Sequence, residues 1–150
     1  MEIRKLGNID STQVINLILP IQQNEFGVNV TLEDQPDLEN IDQYYTAKGG
    51  IFLGAFIDNV LVGTVAFLNI GHHSAALRKM FVNKSFRGKE FGIAKQLLDS
   101  LEIECKKINI ENIYLGTVDI LKASHRFYEK NGFTLLNRSE LPSYFPLMQV

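Results

Sequence analysis

Phe81-Val82-Asn83-Lys84-Ser85-Phe86-Arg87-Gly88-Lys89-Glu90-Phe91-Gly92-Ile93-Ala94-Lys95-Gln96-Leu97-Leu98-Asp99-Ser100-Leu101 decides the fold. An apolar strand ends near Val82. A polar loop with two glycines follows, from Arg87 to Gly92. An amphipathic helix comes next, with Ala94, Leu97, Leu98, Leu101, Cys105 and Ile108 spaced to share one face. A strand, a glycine loop and a helix in this order predict an anion site. The first helical turn leaves N–H groups unpaired, and the helix dipole adds positive charge there. Gly88 and Gly92 lack Cβ and allow close approach to the backbone. Arg87 and Lys89 add charge at the mouth, so a pyrophosphate is the natural guest.

Working outward, Ile3 to Leu6 reads as a first strand. Asp10 or Ser11 can cap a helix carrying Val14, Ile15, Leu17, Ile18 and Ile21, and Pro20 predicts a kink or early end in it. Gln22 to Leu32 reads as a loop, and Pro36 to Tyr45 as a short helix. Ile51 to Ile57, Val60 to Ile70 and Ser74 to Val82 form an antiparallel meander, with Asp58-Asn59 and Gly71-His72-His73 as its turns. The glycine-loop helix ends near Ile108. Asn112 to Gly116 is a strand parallel to the one before that helix. Asp119 can cap a further helix, Leu121 to Lys130, closed by Asn131-Gly132. Phe133 to Leu136 opens a last strand. The expected class is α+β in one domain over residues 1–150: an antiparallel meander, a parallel βαβ crossover, and helices on both faces of a mixed sheet.

Composition removes several classes of function. The chain has 150 residues, 45% hydrophobic and 21% charged, with a formal net charge of −2. That balance demands no basic face, so nucleic acid is not an expected partner. No apolar run approaches membrane-spanning length, and the start reads as a strand and not a leader. Cys105 is the one cysteine, so no internal disulfide forms, no cysteine metal cluster exists, and a cytoplasmic setting is expected.

At Arg87 to Gly92 the chain resembles the GNAT family of N-acetyltransferases, whose signature Arg/Gln-x-x-Gly-x-Gly/Ala stands at a strand-to-helix turn. Arg87 fills its first position and Gly92 its last, while Glu90 replaces the middle glycine. Phe127-Tyr128-Glu129-Lys130-Asn131-Gly132-Phe133 resembles the second signature of that family, an aromatic-Tyr-x-Lys-x-Gly-Phe run. A family asparagine six residues before the aromatic is Leu121 here. The likeness covers roughly residues 50 to 136, and the N-terminal third matches in element order. A seventh strand usual in the family has only Leu147 to Val150 left to form it, so the chain is expected to be clipped there or to have an altered edge.

The resemblance implies acetyl-CoA as co-substrate, no metal, and direct attack of a primary amine through a tetrahedral intermediate. It assigns cofactor binding to Met80, Phe81, Val82, Arg87, Gly88, Lys89, Glu90, Phe91, Gly92 and Ile93. The strand residues would act through their backbone. It assigns Tyr128 the role of general acid for the departing thiolate. The acceptor is a small-molecule or peptide amine, and a homodimer is allowed for. Glu25, Glu33, Asp34, Asp37, Glu39 and Asp42 crowd the segment that lines the acceptor side in the family, which favours a cationic acceptor.

Bland alternatives stand beside these readings. Arg87 to Gly92 could be a plain capping turn, Tyr128 a packed aromatic, and the acids a solvated surface. The whole chain could be a non-catalytic acyl-CoA-binding or regulatory module of the same fold. His72-His73 reads as a turn and not as a base or metal pair. Cys105 reads as core and His125 as a solvated helix position. Glu25, Glu33 and His73 are the candidate bases.

Overall fold

The computed structural model describes residues 1–88, 90–116, 122–136 and 138–145. Strand β1 (Glu2–Lys5) leads through a 3-10 turn into α1 (Ser11–Pro20). Pro20 does end the α-helical ladder, but the chain does not enter a loop. It widens into a π-helical turn over Ile21–Glu25, where the Phe26 N–H reaches the Ile21 carbonyl at 3.1 Å. The start of the expected Gln22–Leu32 loop is therefore helical. The expected single helix from Pro36 is two short ones, α2 (Pro36–Glu39) and α3 (Ile41–Tyr44). They break at Asn40, whose φ of −144° leaves the helical region and whose side chain accepts from the Gln43 N–H.

Three long antiparallel strands follow: β2 (Ile51–Ile57), β3 (Val60–Gly71) and β4 (Ser74–Val82). Asp58 and Asn59 turn the first hairpin at φ 50° and 65°. His72 and His73 turn the second at 56° and 55°, as a two-residue hairpin needs. Helix α4 (Ile93–Lys107) then crosses to β5 (Asn112–Tyr114), which pairs parallel to β4. Among the described residues, the sheet has five strands in the order β1-β2-β3-β4-β5. Helix α5 (Lys122–Lys130) ends in a Schellman cap. Phe133 N–H reaches the Tyr128 carbonyl at 3.0 Å, Gly132 N–H reaches Glu129 at 3.2 Å, and Gly132 sits at φ 92°.

Side chains alternate across the sheet, so each strand serves two cores. Leu53, Ala55, Val65, Phe67, Ala75 and Leu77 meet Ile93, Leu97, Leu98, Leu101 and Cys105 of α4. Phe52, Phe56, Leu61 and Ala66 meet Val14, Ile18, Leu38, Ile41 and Tyr45 on the other face. The expected helices on both faces are there, and β2 is buried on both sides for that reason.

Two strand expectations need correction. β5 stops at Tyr114, short of Gly116, and Phe133–Leu136 forms no strand among the described residues. Leu135 there is 81% exposed. A strand exists only where a neighbour supplies its ladder, and the short β5 offers little edge. Asp119, Leu121 and Leu147 to Val150 lie outside the described residues. Among the described residues, no helix is long and apolar enough to cross a membrane.

Candidate active site

β4 and β5 begin as neighbours and then part. Their register pairs Ser74 with Asn112, Ala75 with Ile113 and Ala76 with Tyr114, and goes no further. From Leu77 to Val82, the ladder of β4 among the described residues is to β3. The β3 ladder itself slips there: Ala66 faces Arg78 but Thr64 faces Phe81. Lys79 and Met80 thus stand opposite Val65 alone, a β-bulge. Lys79 adopts φ 54°, the left-handed region, and its carbonyl accepts from the Thr64 hydroxyl at 2.8 Å. Beyond the bulge, Met80 packs towards the α4 core and Phe81 towards the opposite core. The bulge, the open edge and the start of α4 follow one another along the chain, and Met80, Phe81 and Val82 lie on that stretch.

The glycine loop is a coil of its own carbonyls. Gly88 sits at φ 113° and Gly92 at φ 62°. The N–H groups of both Phe91 and Gly92 donate to the Gly88 carbonyl at 3.2 Å. These two amides therefore close the turn and do not face a ligand. Gln96 is the first residue whose N–H reaches a helix carbonyl, that of Gly92 at 3.0 Å. The amides of Ile93, Ala94 and Lys95 have no acceptor within the helix and form the anion-ready end. The Ile93 side chain is buried against the α4 core, so that residue can offer only its backbone. The Phe91 ring is 40% exposed and meets the Phe86 ring edge-on at 5.7 Å.

Charge in the loop is distributed differently from the expectation. Arg87 is not extended over the helix start. Its Nε donates to the Val82 carbonyl at 2.8 Å, and its two terminal nitrogens form a fork with the Glu25 carboxylate. The Arg87 guanidinium holds the Glu25 carboxyl below the usual carboxylate range. A carboxylate so tied makes a poor proton acceptor, which counts against Glu25 as a base. Glu90 is exposed and its carboxylate folds back over Gly88, where a Cβ would lie 2.9 Å from it. Lys89 lies outside the described residues.

Tyr128 is half-buried on the α4 side of the sheet. Its ring meets Phe127 at 5.4 Å and Phe133 at 5.5 Å, both near edge-on. Burial pushes its phenol up, so it is protonated at neutral pH and can donate. His73 belongs to the far end of β4, where its Nδ1 lies 3.2 Å from the Asn109 carbonyl. At a strand rise of about 3.3 Å per residue, that is roughly 23–30 Å from Met80 to Val82, too far for a direct base.

A further group of residues escaped the sequence reading. The Lys79 ammonium turns towards the α1–α3 face and donates to Gln35 Oε1 at 2.6 Å, with Asp37 Oδ2 at 3.8 Å. Gln35 and Gln22 exchange amide hydrogen bonds of 2.8 and 3.0 Å. Tyr45 donates to Asp37 at 2.6 Å. Lys79, Gln22, Gln35 and Tyr45 are all buried. The one sequence signal was Arg78-Lys79, two adjacent cations inside a strand covered on both faces, where alternation must bury at least one.

The family follows from comparison as well as from geometry. A sequence model of the acetyltransferase (GNAT) family matches residues 15–133, and the chain belongs to that family. A GNAT-family acetyltransferase of Staphylococcus aureus superposes with a TM-score of 0.94 at 39% identity, covering 99% of this chain and 94% of that one. A PaiA N-acetyltransferase of Thermoplasma acidophilum, solved in complex with coenzyme A, has a TM-score of 0.74 at 25% identity, covering 90% of each chain. N-acetylaspartate synthetase of Xenopus tropicalis is 37% identical over 100 residues, 65% of this chain. The match takes in 36% of that relative, so the chain spans about a third of its length.

Proposed function

We propose that this chain is an acetyl-CoA-dependent N-acetyltransferase that moves the acetyl group to a primary amine by direct attack. The observation that carries the reading is the parting of β4 from β5 after Ala76 and Tyr114, with the bulge at Lys79 and the start of α4 beyond it. An opened strand edge offers backbone groups to an extended chain of amides. The first-turn amides of α4 suit a pyrophosphate, and Arg87 can join them if it leaves Glu25. Gly88, Lys89, Glu90, Phe91 and Gly92 would form the wall of that cradle, with Gly88 and Gly92 permitting its turn. An N–H from Met80 to Val82 would take charge from the thioester oxygen as the amine nitrogen bonds to its carbon. The C–S bond then breaks, and the Tyr128 phenol supplies a proton to the leaving sulfur. The amine's own proton goes to water. A single domain in a cytoplasmic setting is consistent with the lone, buried Cys105, whose thiol burial pushes up to about 12.

The acceptor is an amine, and its charge is the open choice. Much of the acidic segment is already engaged: Glu25 by Arg87, Asp34 by the Thr31 N–H and hydroxyl, Asp37 by Tyr45 and Lys79. A cationic acceptor would rest on the exposed Glu33, Glu39 and Asp42. The relatives named N-acetylaspartate synthetase introduce the opposite choice, an amino dicarboxylate. A second reading, a non-catalytic acyl-CoA-binding or regulatory module, rests on one observation that fits weakened or altered binding: Glu25 on Arg87 and Glu90 over Gly88 bring two carboxylates to the anion site.

Thiol release from acetyl-CoA across matched cationic, neutral and dicarboxylate amines, at low and high salt, tests all three. Turnover with at least one primary amine is expected. Calorimetric binding of acetyl-CoA without release for any amine would replace the first reading by the second. A cationic preference that shrinks with salt would support the acidic-segment reading, since screening acts over about 8–10 Å.

A further inference from the structure

A lysine with a left-handed backbone, buried inside a strand, is costly twice over. Lysine lacks the short polar side chain that eases φ > 0. Its ammonium loses hydration that a single buried partner rarely returns, and an apolar residue of the same length would usually be more stable. Yet Lys79 sits at φ 54° with its side chain 1% exposed. Something at this position is kept for a reason other than core stability.

The surroundings are built to hold that ammonium in one place. The Gln22–Gln35 amide pair is reciprocal, with each side chain donating to the other. The Gln35 end that faces Lys79 Nζ at 2.6 Å must be its oxygen, because an ammonium only donates, and this sets the orientation of both amides. Gln35 Nε2 is also within 3.4 Å of the Thr31 carbonyl. Asp37 adds negative charge at 3.8 Å and is itself held by the Tyr45 hydroxyl. On the backbone side, the Thr64 hydroxyl holds the Lys79 carbonyl. The ammonium thus ties β4 to the π-helical turn after α1 and to the start of α2, from residue 79 back to residues 22 and 35. It does so at the residue where the β4 ladder slips and from which the open edge runs to Val82.

We propose that Lys79 is a positioning residue: its buried ammonium, clamped by Gln35 and Asp37, pins the β4 bulge and so sets the backbone from Met80 to Val82 against which the acyl group reacts. The proposal rests on the acetyltransferase reading of the open edge. Without the clamp the bulge relaxes towards regular strand. The pyrophosphate end at α4 is untouched, so capture of the cofactor survives while the reacting carbonyl is misplaced. Burial lowers the Lys79 ammonium to about 8 from its usual 10.5. Among the described residues, Asp37 and Tyr45 from the α2–α3 side and Arg78 from β4 are titratable or charged groups facing it. Tyr45 is pushed upward by burial and stays protonated throughout.

The decisive variant is Lys79→Met. Its two named partners keep a donor: Gln35 Oε1 still accepts from Gln22, and Asp37 from Tyr45. Three readouts on the intact protein separate positioning from packing. The φ-sensitive H–N–Cα–H coupling of residue 79 should move from its left-handed value to an extended one. The carbonyl stretch of 13C-labelled acetyl-CoA should shift on binding the wild type and lose that shift in the variant. With an accepted amine, kcat should fall at least tenfold with acetyl-CoA affinity within about twofold, while the melting temperature holds or rises. If loss of the Lys79 proton releases the clamp, wild-type kcat should fall as pH rises through about 8, and the variant should lack that fall. Lys79→Met combined with Gln35→Met should be no worse than Lys79→Met alone, as members of one clamp require.

An unchanged coupling at residue 79, a kcat equal to wild type, or a kcat loss matched by equal losses in affinity and melting temperature would each overturn the proposal. Failure of the acetyltransferase reading looks different: the wild type would release no thiol with any amine. The coupling at residue 79 would then still decide whether the ammonium holds the bulge.

Discussion

The two faces of the sheet are covered by helices in the same way, yet they are made of different material. Among the described residues, the fully buried part of the α4 face is apolar, with Leu97, Leu98 and Leu101 buried against Val65, Phe67 and Ala75 and the Tyr128 phenol at its margin. The α1–α3 face has a comparable apolar core but also a continuous buried polar chain, from Gln22 through Gln35 to Lys79, Asp37 and Tyr45. A fold needs the first kind of face for stability. The second kind sacrifices stability to hold a particular backbone shape, because each of its groups must be desolvated and then fully partnered. The polar chain ends at the bulge where β4 begins its open edge. On the proposal above, the division of labour is spatial: both faces carry folding free energy, and the α1–α3 face also shapes the edge.

The largest test strikes the apolar face. Leu98→Ala should cost about 2–5 kcal/mol of unfolding free energy, read by urea denaturation, because the α4–sheet contact cannot collapse into the gap. Per folded molecule, kinetic constants should stay close to wild type. A large kcat change there would break the division. Tyr128→Phe probes whether chemistry also reaches the α4 side. It keeps the ring packing against Phe127 and Phe133 and removes the donor. Turnover should fall about ten- to a thousandfold, with a smaller change in acetyl-CoA affinity, within the range of general acid catalysis. Equal turnover, measured where chemistry limits the rate, would demote Tyr128 to packing.

Gln35→Leu should cost about 1.5–3 kcal/mol, since it removes an acceptor from a buried cation and leaves Gln22 without its partner. Such a cost for deleting a polar side chain is what separates this face from the other. Linkage gives a related check on Lys79. Its folded pKa of about 8 lies below the ordinary 10.5, so between those pH values the unfolded chain holds a proton that the folded chain has lost. Stability from this group therefore rises with pH across that window and is level outside it. Denaturant midpoints of wild type relative to Lys79→Met should rise from pH 8 to 10. A falling difference would place the ammonium in a favourable ion pair instead.

The smallest effect belongs to the Arg87–Glu25 fork at the surface. Arg87 is 36% exposed and Glu25 24%, so Glu25→Gln should change stability by no more than about 1 kcal/mol. Because Arg87 lowers the Glu25 carboxyl, that contribution is present above its ordinary 4.5 and is lost as pH falls through the lowered value. Coenzyme A affinity, by calorimetry, should rise in Glu25→Gln if Arg87 leaves Glu25 to meet the pyrophosphate. Unchanged affinity would mean that the fork persists in the bound state.

Much of this molecule is written locally. Asp58-Asn59 and His72-His73 tolerate left-handed backbone, so both hairpins were legible. So were the strand, glycine loop and helix from Phe81 to Leu101, and the Asn131-Gly132 cap, because each depends on neighbours within a turn or two. Motifs of that range were enough to indicate the family. Where the expectations fell short, the deciding partner was remote in sequence. The π-helical turn after Pro20 is held where Gln22 pairs with Gln35. Arg87 turns away from the helix start because Glu25, 62 residues earlier, lies within reach. Phe91 and Gly92 look like free amides in a glycine loop, yet the turn folds them onto the Gly88 carbonyl.

Sequence by itself determined the α+β order, the two signatures and the place of the anion-ready helix end. These are periodicities and local turn chemistry, which each segment states without its neighbours. Tertiary structure alone decided that β4 leaves β5 after Ala76, that its ladder slips at Lys79, and that a buried ammonium meets Gln35, 44 residues away, at that slip. Register and burial are properties of pairs of segments. A lysine beside an arginine in a strand cannot announce which of them will be desolvated until the second layer of helices is laid over the sheet.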